Sequence, residues 1–181
     1  MARTVVVMPA KDAESTVGQA VKSTLRAMPK DAQLLVVNDG SVDNTGSVLD
    51  EIRDRRLRVL DNDRSMGVAW SLNRAIEETD SEFLARMDAD DLCLPLRFAL
   101  QESACDGVDA VFAPAILFGR GRIPRPSTPL PISAEAWPIS LLYGNPGIHS
   151  TFFGRREAVR AAGGYRKCLA EDYDLWLRMS S

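Results

Sequence analysis

The chain has 181 residues, of which 45% are hydrophobic and 26% are charged, and three of them are cysteine. This composition is typical of a globular domain. It excludes collagenous, disordered and disulfide-stapled classes, because a chain of this length buries a full core unaided. A net charge of −3 gives no long-range attraction for nucleic acid, so no nucleic-acid partner is expected. The first residues do not show the pattern of a secretory leader, and no apolar run approaches the ~20 residues of a membrane helix, so we expect a cytoplasmic protein.

The first half of the chain alternates between buried-strand and helical patterns. Continuous apolar runs predict strands at 4–8, 33–37, 57–60 and 83–87, and apolar residues at helical spacing predict helices at 17–28, 48–52 and 69–76. This order predicts an α/β fold with a Rossmann-like open sheet, helices on both faces and right-handed crossovers. Ligands bind such sheets at the edge where the carboxyl ends of the strands meet.

The second half of the chain has a different order of elements. The patterns predict a helix at 95–103, strands at 110–118 and 150–153, and helices at 155–162 and 172–179. Between the two strands lie Pro124, Pro126, Pro129 and Pro131, which predict a long loop. Long loops inside compact domains are commonly lids or binding segments.

Three carboxylates, Asp88, Asp90 and Asp91, are crowded directly after the fourth predicted strand. Their mutual repulsion lowers stability unless a cation or a set of hydrogen-bond donors compensates it. Carboxylate oxygens are hard ligands of the kind that Mg²⁺ and Mn²⁺ select, so a divalent metal site is one interpretation. The alternative is an acidic, solvated loop that caps the next helix, and these residues alone do not decide between the two.

Other candidate polar residues stand at the ends of predicted elements. Glu171 and Asp172 open the last helix, where a carboxylate either caps the helix or, facing a cleft, acts as a general base toward a hydroxyl. Asp39 follows the second strand and either accepts hydrogen bonds from a base or ribose or forms an Asx-turn. His149 is the only histidine, which excludes a His-rich zinc site.

Neither a Walker loop nor a Gly-x-Gly-x-x-Gly turn after the first strand is present, so a nucleotide would be bound by another arrangement. Taken in order, the pieces described above resemble the family 2 glycosyltransferases, which are inverting enzymes that use nucleotide-sugar donors. Their GT-A fold implies a Rossmann-like open mixed sheet with helices on both faces. The match runs through nearly the whole chain. The resembling segments are 6–14, 35–45, 67–73, 83–91, 149–151, 163–165 and 170–178.

The resemblance implies roles for individual residues. The implied sites are a nucleotide-base pocket at Pro9, Ala10 and Asp39, a donor-binding DxD motif at Asp88 and Asp90, metal ligands at Asp90, Asp88 and His149, a catalytic base at Asp172, and an acceptor side at Glu171 and Trp176. The implied cofactor is Mn²⁺ or Mg²⁺. The metal would neutralise the charge that grows on the departing phosphates, while the base takes the proton of the acceptor hydroxyl.

By this resemblance, the chain transfers a sugar from a nucleotide-diphosphate sugar, with a UDP-sugar favoured, to a glycan, lipid-linked or other hydroxyl acceptor. The anomeric centre is inverted. The resemblance also implies one GT-A catalytic domain over residues 1–181. Its last helix ends without Gly, Pro or a polar tail after it, so we expect a chain truncated at its C-terminus. By the resemblance, the sequence that follows can associate peripherally with a membrane. The expected location is the cytoplasm, and a position at the inner face of the membrane is an alternative within it.

Two other classes remain as alternatives. A non-catalytic GT-A-like sugar-binding module would keep the fold, although the presence of Asp88, Asp90 and Asp172 counts against it. A haloacid-dehalogenase-type phosphatase also places Asp-x-Asp after a buried strand, but on its first strand and with Thr or Val four residues after the nucleophile. Here the motif follows the fourth predicted strand, and Leu92 occupies that position.

Overall fold

The computed structural model describes residues 2–119, 122–127 and 131–180. The strands are β1 (Thr4–Ala10), β2 (Gln33–Asn38), β3 (Leu57–Asp61), β4 (Phe83–Arg86), β5 (Ala110–Phe112), β6 (Ile116–Gly119), β7 (Arg122–Pro126) and β8 (Phe152–Arg155). The helices are α1 (Val17–Ala27), α2 (Thr45–Asp50), α3 (Val68–Glu77), α4 (Arg97–Ala104), α5 (Trp137–Leu141), α6 (Arg156–Ala161) and α7 (Glu171–Met179). A 3₁₀ turn covers His149–Thr151.

Six strands form one open mixed sheet in the order β3-β2-β1-β4-β8-β5. Strands β1 to β4 are parallel to one another, whereas β8 runs antiparallel to both β4 and β5. The parallel part follows the predicted alternation of strand and helix. The predicted open α/β sheet is therefore confirmed, and its mixed character comes from β8, which enters the sheet next to β4.

Apolar side chains cover both faces of the sheet, as the continuous apolar runs predict. Along β1, Val6 and Met8 join the core that contains α1, while Val5 and Val7 join the core that contains α3. This two-residue alternation is the normal geometry of a strand. Because each of these side chains is at most 3% exposed, burial of each contributes roughly 1.5–3 kcal/mol to folding.

The segment after β5 differs from its prediction in two ways. The strand predicted at 110–118 is interrupted, since β5 ends at Phe112 and β6 begins at Ile116. The proline-containing stretch predicted as a loop holds β7, which pairs antiparallel with β6 in a separate two-stranded sheet. Prolines are tolerated there because each strand of such a pair has a free edge where no amide donor is needed. Pro129 lies outside the described residues.

Within the part of the chain that the structure describes, none of the helices has the length and apolar character of a membrane span. That residues 1–181 form a single catalytic domain with further sequence after it stays a prediction.

Candidate active site

The candidate site lies at the edge of the sheet where the parallel strands end. In the strand register, Ala10 of β1 is opposite Asn38 of β2, and Val7 of β1 is opposite Arg86 of β4. The residues that follow these strands therefore come out at one edge. Pro9, Ala10 and Asp39 lie at the ends of β1 and β2, and the amide of Asp39 donates to the carbonyl of Ala10 at 2.8 Å.

Asp39 is buried and anchors the turn between β3 and α3. Its carboxylate accepts five hydrogen bonds, from the amides of Met66 and Gly67 and from the side chains of Asn62, Ser65 and Ser71, at 2.6–3.0 Å. Burial pushes the pKa of Asp39 upward, but these donors outweigh it and hold the pKa at about 2. These bonds reach 23 or more residues along the chain, so they are not those of an Asx-turn. Contact of Asp39 with a nucleotide base stays a prediction.

A buried arginine side chain lies next to the carboxylates that follow β4. Arg86, the last residue of β4, is 4% exposed, and its Nη2 lies 2.5 Å from Oδ1 of Asp88. The same guanidinium donates to the carbonyl of Met87. Arg86 therefore offsets part of the repulsion among the three aspartates. Sequence reasoning missed this residue, although a charged side chain at the end of an otherwise apolar strand is a visible signal.

The remaining two aspartates differ from Asp88. Burial raises the pKa of Asp91, and the charges of Asp88 and Asp90 add to this, while a hydrogen bond with Ser150 opposes it. Asp90 is exposed, and within the described residues no hydrogen bond or ion pair engages its carboxylate. The alternative that these acids cap the next helix is wrong, since the first turn of α4 holds no acidic residue and its cap position is Leu96.

A bridge of two side chains on α4 connects this carboxylate segment to the 3₁₀ turn. Nη2 of Arg97 donates to the carbonyl of Arg86 at 2.7 Å, and Nε of Arg97 donates to Oε1 of Gln101 at 3.0 Å. Nε2 of Gln101 then donates to the carbonyl of Thr151 at 2.7 Å. The two side chains thus fix the end of β4 relative to the turn that carries His149.

The side chain of His149 is largely buried, with 15% exposed, and its Nε2 lies 3.1 Å from the hydroxyl of Tyr165. Burial, assisted by the positive charge of Arg86, lowers the pKa of His149 to about 2. The imidazole is therefore neutral, and its 3.9 Å approach to Oε1 of Glu171 is not an ion pair. Glu171 and His149 are nevertheless neighbours, which brings the start of α7 next to the 3₁₀ turn.

Asp172 lies in the first turn of α7 and is partly buried. Its Oδ2 accepts a hydrogen bond from Nδ2 of Asn145 at 2.7 Å. Asn145 precedes the 3₁₀ turn, and nothing in its sequence context pointed to this partnership. Asp174, two residues further on, is paired with Arg178 at 2.6 Å. Asp172 stands where a carboxylate also interacts favourably with the helix dipole, so its role as a base stays a prediction.

Trp176 is 1% exposed and is mainly a core residue. Its ring stacks on Phe152 at 4.8 Å between centroids and meets Phe112 edge-on at 5.0 Å. Among the described residues, its Nε1 has no hydrogen-bond partner. Trp176 also contributes to an apolar groove of about 780 Å³ that includes Trp137 and Pro146. Trp176 therefore lies at the wall of this groove, and its place on the acceptor side stays a prediction.

No group of three His, Cys, Asp or Glu side chains that could hold a metal ion is found in the described ranges. The predicted ligands Asp88, Asp90 and His149 thus do not form a closed protein cage. Mg²⁺-type sites commonly use only one or two carboxylates together with substrate phosphates. The exposed carboxylate of Asp90, near Asp88, is compatible with such a shared site, and metal binding by Asp90, Asp88 and His149 stays a prediction.

Three known proteins illustrate what the chain is similar to. It is 29% identical over 188 residues to a putative glycosyltransferase, EpsE of Bacillus subtilis, covering 96% of this chain and 65% of that protein. It is 32% identical over 98 residues to the Escherichia coli UDP-Glc:alpha-D-GlcNAc-diphosphoundecaprenol beta-1,3-glucosyltransferase WfgD, covering 54% of this chain and 39% of that protein. The chain therefore spans less than two thirds of the length of either relative.

The solved structure of the mannosyltransferase PcManGT from Pyrobaculum calidifontis, in complex with GDP-Man and Mn²⁺, superposes with a TM-score of 0.72. The match covers 95% of this chain and 50% of that one. Because the sequence identity is only 17%, the match shows the fold alone. The GT-A fold that the motif order predicts is therefore confirmed. The model of the family described as glycosyl transferase family 2 matches residues 5–163, so the chain belongs to glycosyl transferase family 2.

Proposed function

We propose that the chain is the donor-binding catalytic part of an inverting glycosyltransferase. It would move a sugar from a nucleotide-diphosphate sugar, with a UDP-sugar favoured, to an acceptor hydroxyl in glycan or polysaccharide synthesis. The observation that carries this proposal is the carboxylate of Asp90, which is exposed at the ligand edge of the sheet and has no partner within the described residues. Such a carboxylate is free to share a metal with a substrate diphosphate.

On the donor side, Asp90 and Asp88 would hold Mn²⁺ or Mg²⁺. The metal, when bound, neutralises negative charge that develops on the leaving diphosphate. Arg86 holds Asp88 in place through the 2.5 Å contact, so that this carboxylate is oriented before the donor arrives. Pro9 and Ala10 would line the base pocket with Asp39, whose hydrogen bonds keep the neighbouring turn in position.

On the acceptor side, Asp172 would take the proton from the attacking hydroxyl. The acceptor oxygen forms its bond to the anomeric carbon as the bond from that carbon to the diphosphate oxygen breaks, which inverts the centre. Asn145 supports this role because its amide holds one oxygen of Asp172 at 2.7 Å. Glu171 and Trp176 would border the acceptor, since one adjoins Asp172 in sequence and the other lines the apolar groove.

The relative WfgD is named for transfer from UDP-Glc to a sugar on diphosphoundecaprenol. This name supports a UDP-sugar donor and a lipid-linked acceptor for the present chain. An enzyme that acts on such an acceptor works at a membrane surface. We therefore place the proposed reaction in the cytoplasm at the inner face of the membrane, with peripheral association.

The proposal is tested by calorimetric titration of UDP-sugars and GDP-mannose with and without Mn²⁺. We expect Mn²⁺-dependent binding of at least one donor, and we expect Asp90→Asn to abolish it by removing an anionic ligand. Asp106→Asn, a change of another exposed aspartate on the turn after α4, is the matched control and should bind as the wild type does. Equal binding by Asp90→Asn, or no donor binding at all, would contradict the proposal.

The catalytic step is tested separately with Asp172→Asn. We expect donor binding to be retained and transfer to fall by about 10²–10⁴-fold, because a general base contributes that much. Transfer is measured as release of nucleoside diphosphate in the presence of acceptor lipids or sugars. If wild-type protein binds a donor but never releases nucleoside diphosphate, the non-catalytic sugar-binding alternative is favoured instead.

A further inference from the structure

The two-stranded sheet formed by β6 and β7, called here the hairpin, carries large apolar side chains that face solvent. Ile116 is 54% exposed, Leu117 43%, Phe118 60% and Ile123 89%. None of these four residues belongs to either apolar core of the protein. At its base the hairpin is closed by hydrogen bonds between Ala115 and Ser127 at 2.8 and 2.9 Å.

Both faces of the hairpin carry exposed apolar side chains. Consecutive residues on a strand point to opposite faces, so the exposed Ile116 and Leu117 lie on different sides of the hairpin. An isolated two-stranded sheet is only marginally stable in water, and clustered exposed apolar side chains mark interaction sites. We therefore expect the hairpin to bind another surface that covers its apolar side chains.

The charge of this part of the sequence indicates which surface covers it. Residues 110–134 contain three arginines, Arg120, Arg122 and Arg125, and no acidic residue, although the whole chain has a net charge of −3. Arg125 is exposed and follows Ile123 by two residues. Exposed apolar side chains together with basic residues favour binding at the interface of anionic lipid bilayers.

A protein partner fits the hairpin less well than a lipid surface does. Pro124 and Pro126 remove two amide donors from β7, which hinders the addition of a further strand from another chain. A partner that packs on one face would leave the apolar side chains of the other face in water. A bilayer interface, in contrast, surrounds an inserted element on all sides.

We propose that the hairpin inserts into the surface of an anionic lipid bilayer and thereby holds the protein at the membrane. This inference extends the proposed function and rests on it, because it assumes that the acceptor is bound to the membrane. The apolar groove supports the arrangement, because it includes Ala113 and Pro114 at the base of the hairpin and extends to Pro146, next to Asn145. An acceptor lipid at the bilayer would thus approach from the side that carries Asp172.

The test is co-sedimentation of the full chain with vesicles of phosphatidylcholine, with and without phosphatidylglycerol. We expect binding to the anionic vesicles only, and a loss that grows with salt concentration. Phe118→Ser and Ile123→Ser should each lower partitioning about tenfold, since each removes a large apolar side chain from the lipid interface. Arg125→Glu should lower it too. Leu100→Ser, which changes a 66% exposed leucine on α4, is the control and should bind normally.

Several results would overturn the inference. These are absence of wild-type binding to anionic vesicles, unchanged binding by both hairpin variants, or a wild-type dimer in light scattering that Phe118→Ser dissociates. Donor titrations on the same variants separate this inference from the proposed function. Loss of vesicle binding with unchanged donor affinity supports the hairpin as the membrane contact. Vesicle binding by a wild type that binds no donor would leave the membrane contact standing and remove the proposed function.

Discussion

The ends of β2 and β4 present carboxylates at the same edge of one sheet, yet the two regions use them in opposite ways. Asp39, after β2, is buried and receives five internal hydrogen bonds. Asp90, after β4, is exposed and receives none from the described residues. The comparison shows that position at the ligand edge does not by itself make a carboxylate available. Availability depends on whether the surrounding turns supply donors.

The largest expected effect on stability comes from Asp39→Ala. Removing the carboxylate takes away the acceptor of the part-buried amides of Met66 and Gly67. It also takes one of the two acceptors of the buried Asn62 side chain, whose Nδ2 still donates to Ser71. Unpaired buried donors cost about 1–3 kcal/mol each, and partial access of water reduces the sum, so we expect a loss of about 3 kcal/mol. Urea denaturation measures it. A loss under about 1 kcal/mol would mean that the turn holds its shape without Asp39.

A smaller effect is expected from acid. The folded pKa of Asp39 is about 2 and its ordinary value is 3.8, so the carboxylate stabilises the fold fully above the ordinary value. This contribution of about 2 kcal/mol is lost as pH falls from 3.8 through the folded pKa. Denaturation at a series of pH values should show this loss in the wild type. The same slope in Asp39→Asn would assign the acid sensitivity to other groups.

Arg86→Met is expected to have a still smaller effect, about 1 kcal/mol at neutral pH. A buried guanidinium is replaced by an apolar side chain of similar length, and Asp88 is 36% exposed, so solvent can hydrate the carboxylate that is left behind. A loss of 3 kcal/mol or more, of the size found for broken buried pairs, would show that Asp88 depends on Arg86 for solvation.

The smallest effect on stability is expected from Asp90→Asn. Substitutions of exposed residues without partners usually change stability by less than about 0.5 kcal/mol. Relief of repulsion with Asp91, whose pKa the charge of Asp90 helps to raise, should make the variant slightly more stable. Urea denaturation without metal tests this. A clear destabilisation would mean that Asp90, like Asp39, has a structural role, and the contrast between the two carboxylates would not hold.

Much of the first half of the chain was predictable from the sequence. Strands β1, β2 and β4 are continuous apolar runs because helices cover both faces, and each is followed by polar residues that mark the ligand edge. The motif order then indicated the GT-A fold. This reasoning located Asp39, Asp88 and Asp90 at strand ends without any contact being known.

The partners of these residues were not predictable, for a physical reason. The donors to Asp39 stand 23 to 32 residues away, and Asn145 stands 27 residues from Asp172, so only the folded topology brings them together. The β6–β7 pair was missed because its prolines signal a loop. Trp176 was assigned to the acceptor side by the resemblance, and its helix places the indole in the core.

The bridge from Arg97 through Gln101 has a consequence for how members of this family can be recombined. It ties the segment after β4 to the 3₁₀ turn, although the two are more than 50 residues apart in the sequence. A chimaera that takes its N-terminal half from one relative and its C-terminal half from another would have its junction between these two segments. Such an exchange keeps the geometry of the cleft only if residues 86–101 and 149–151 are inherited from the same parent.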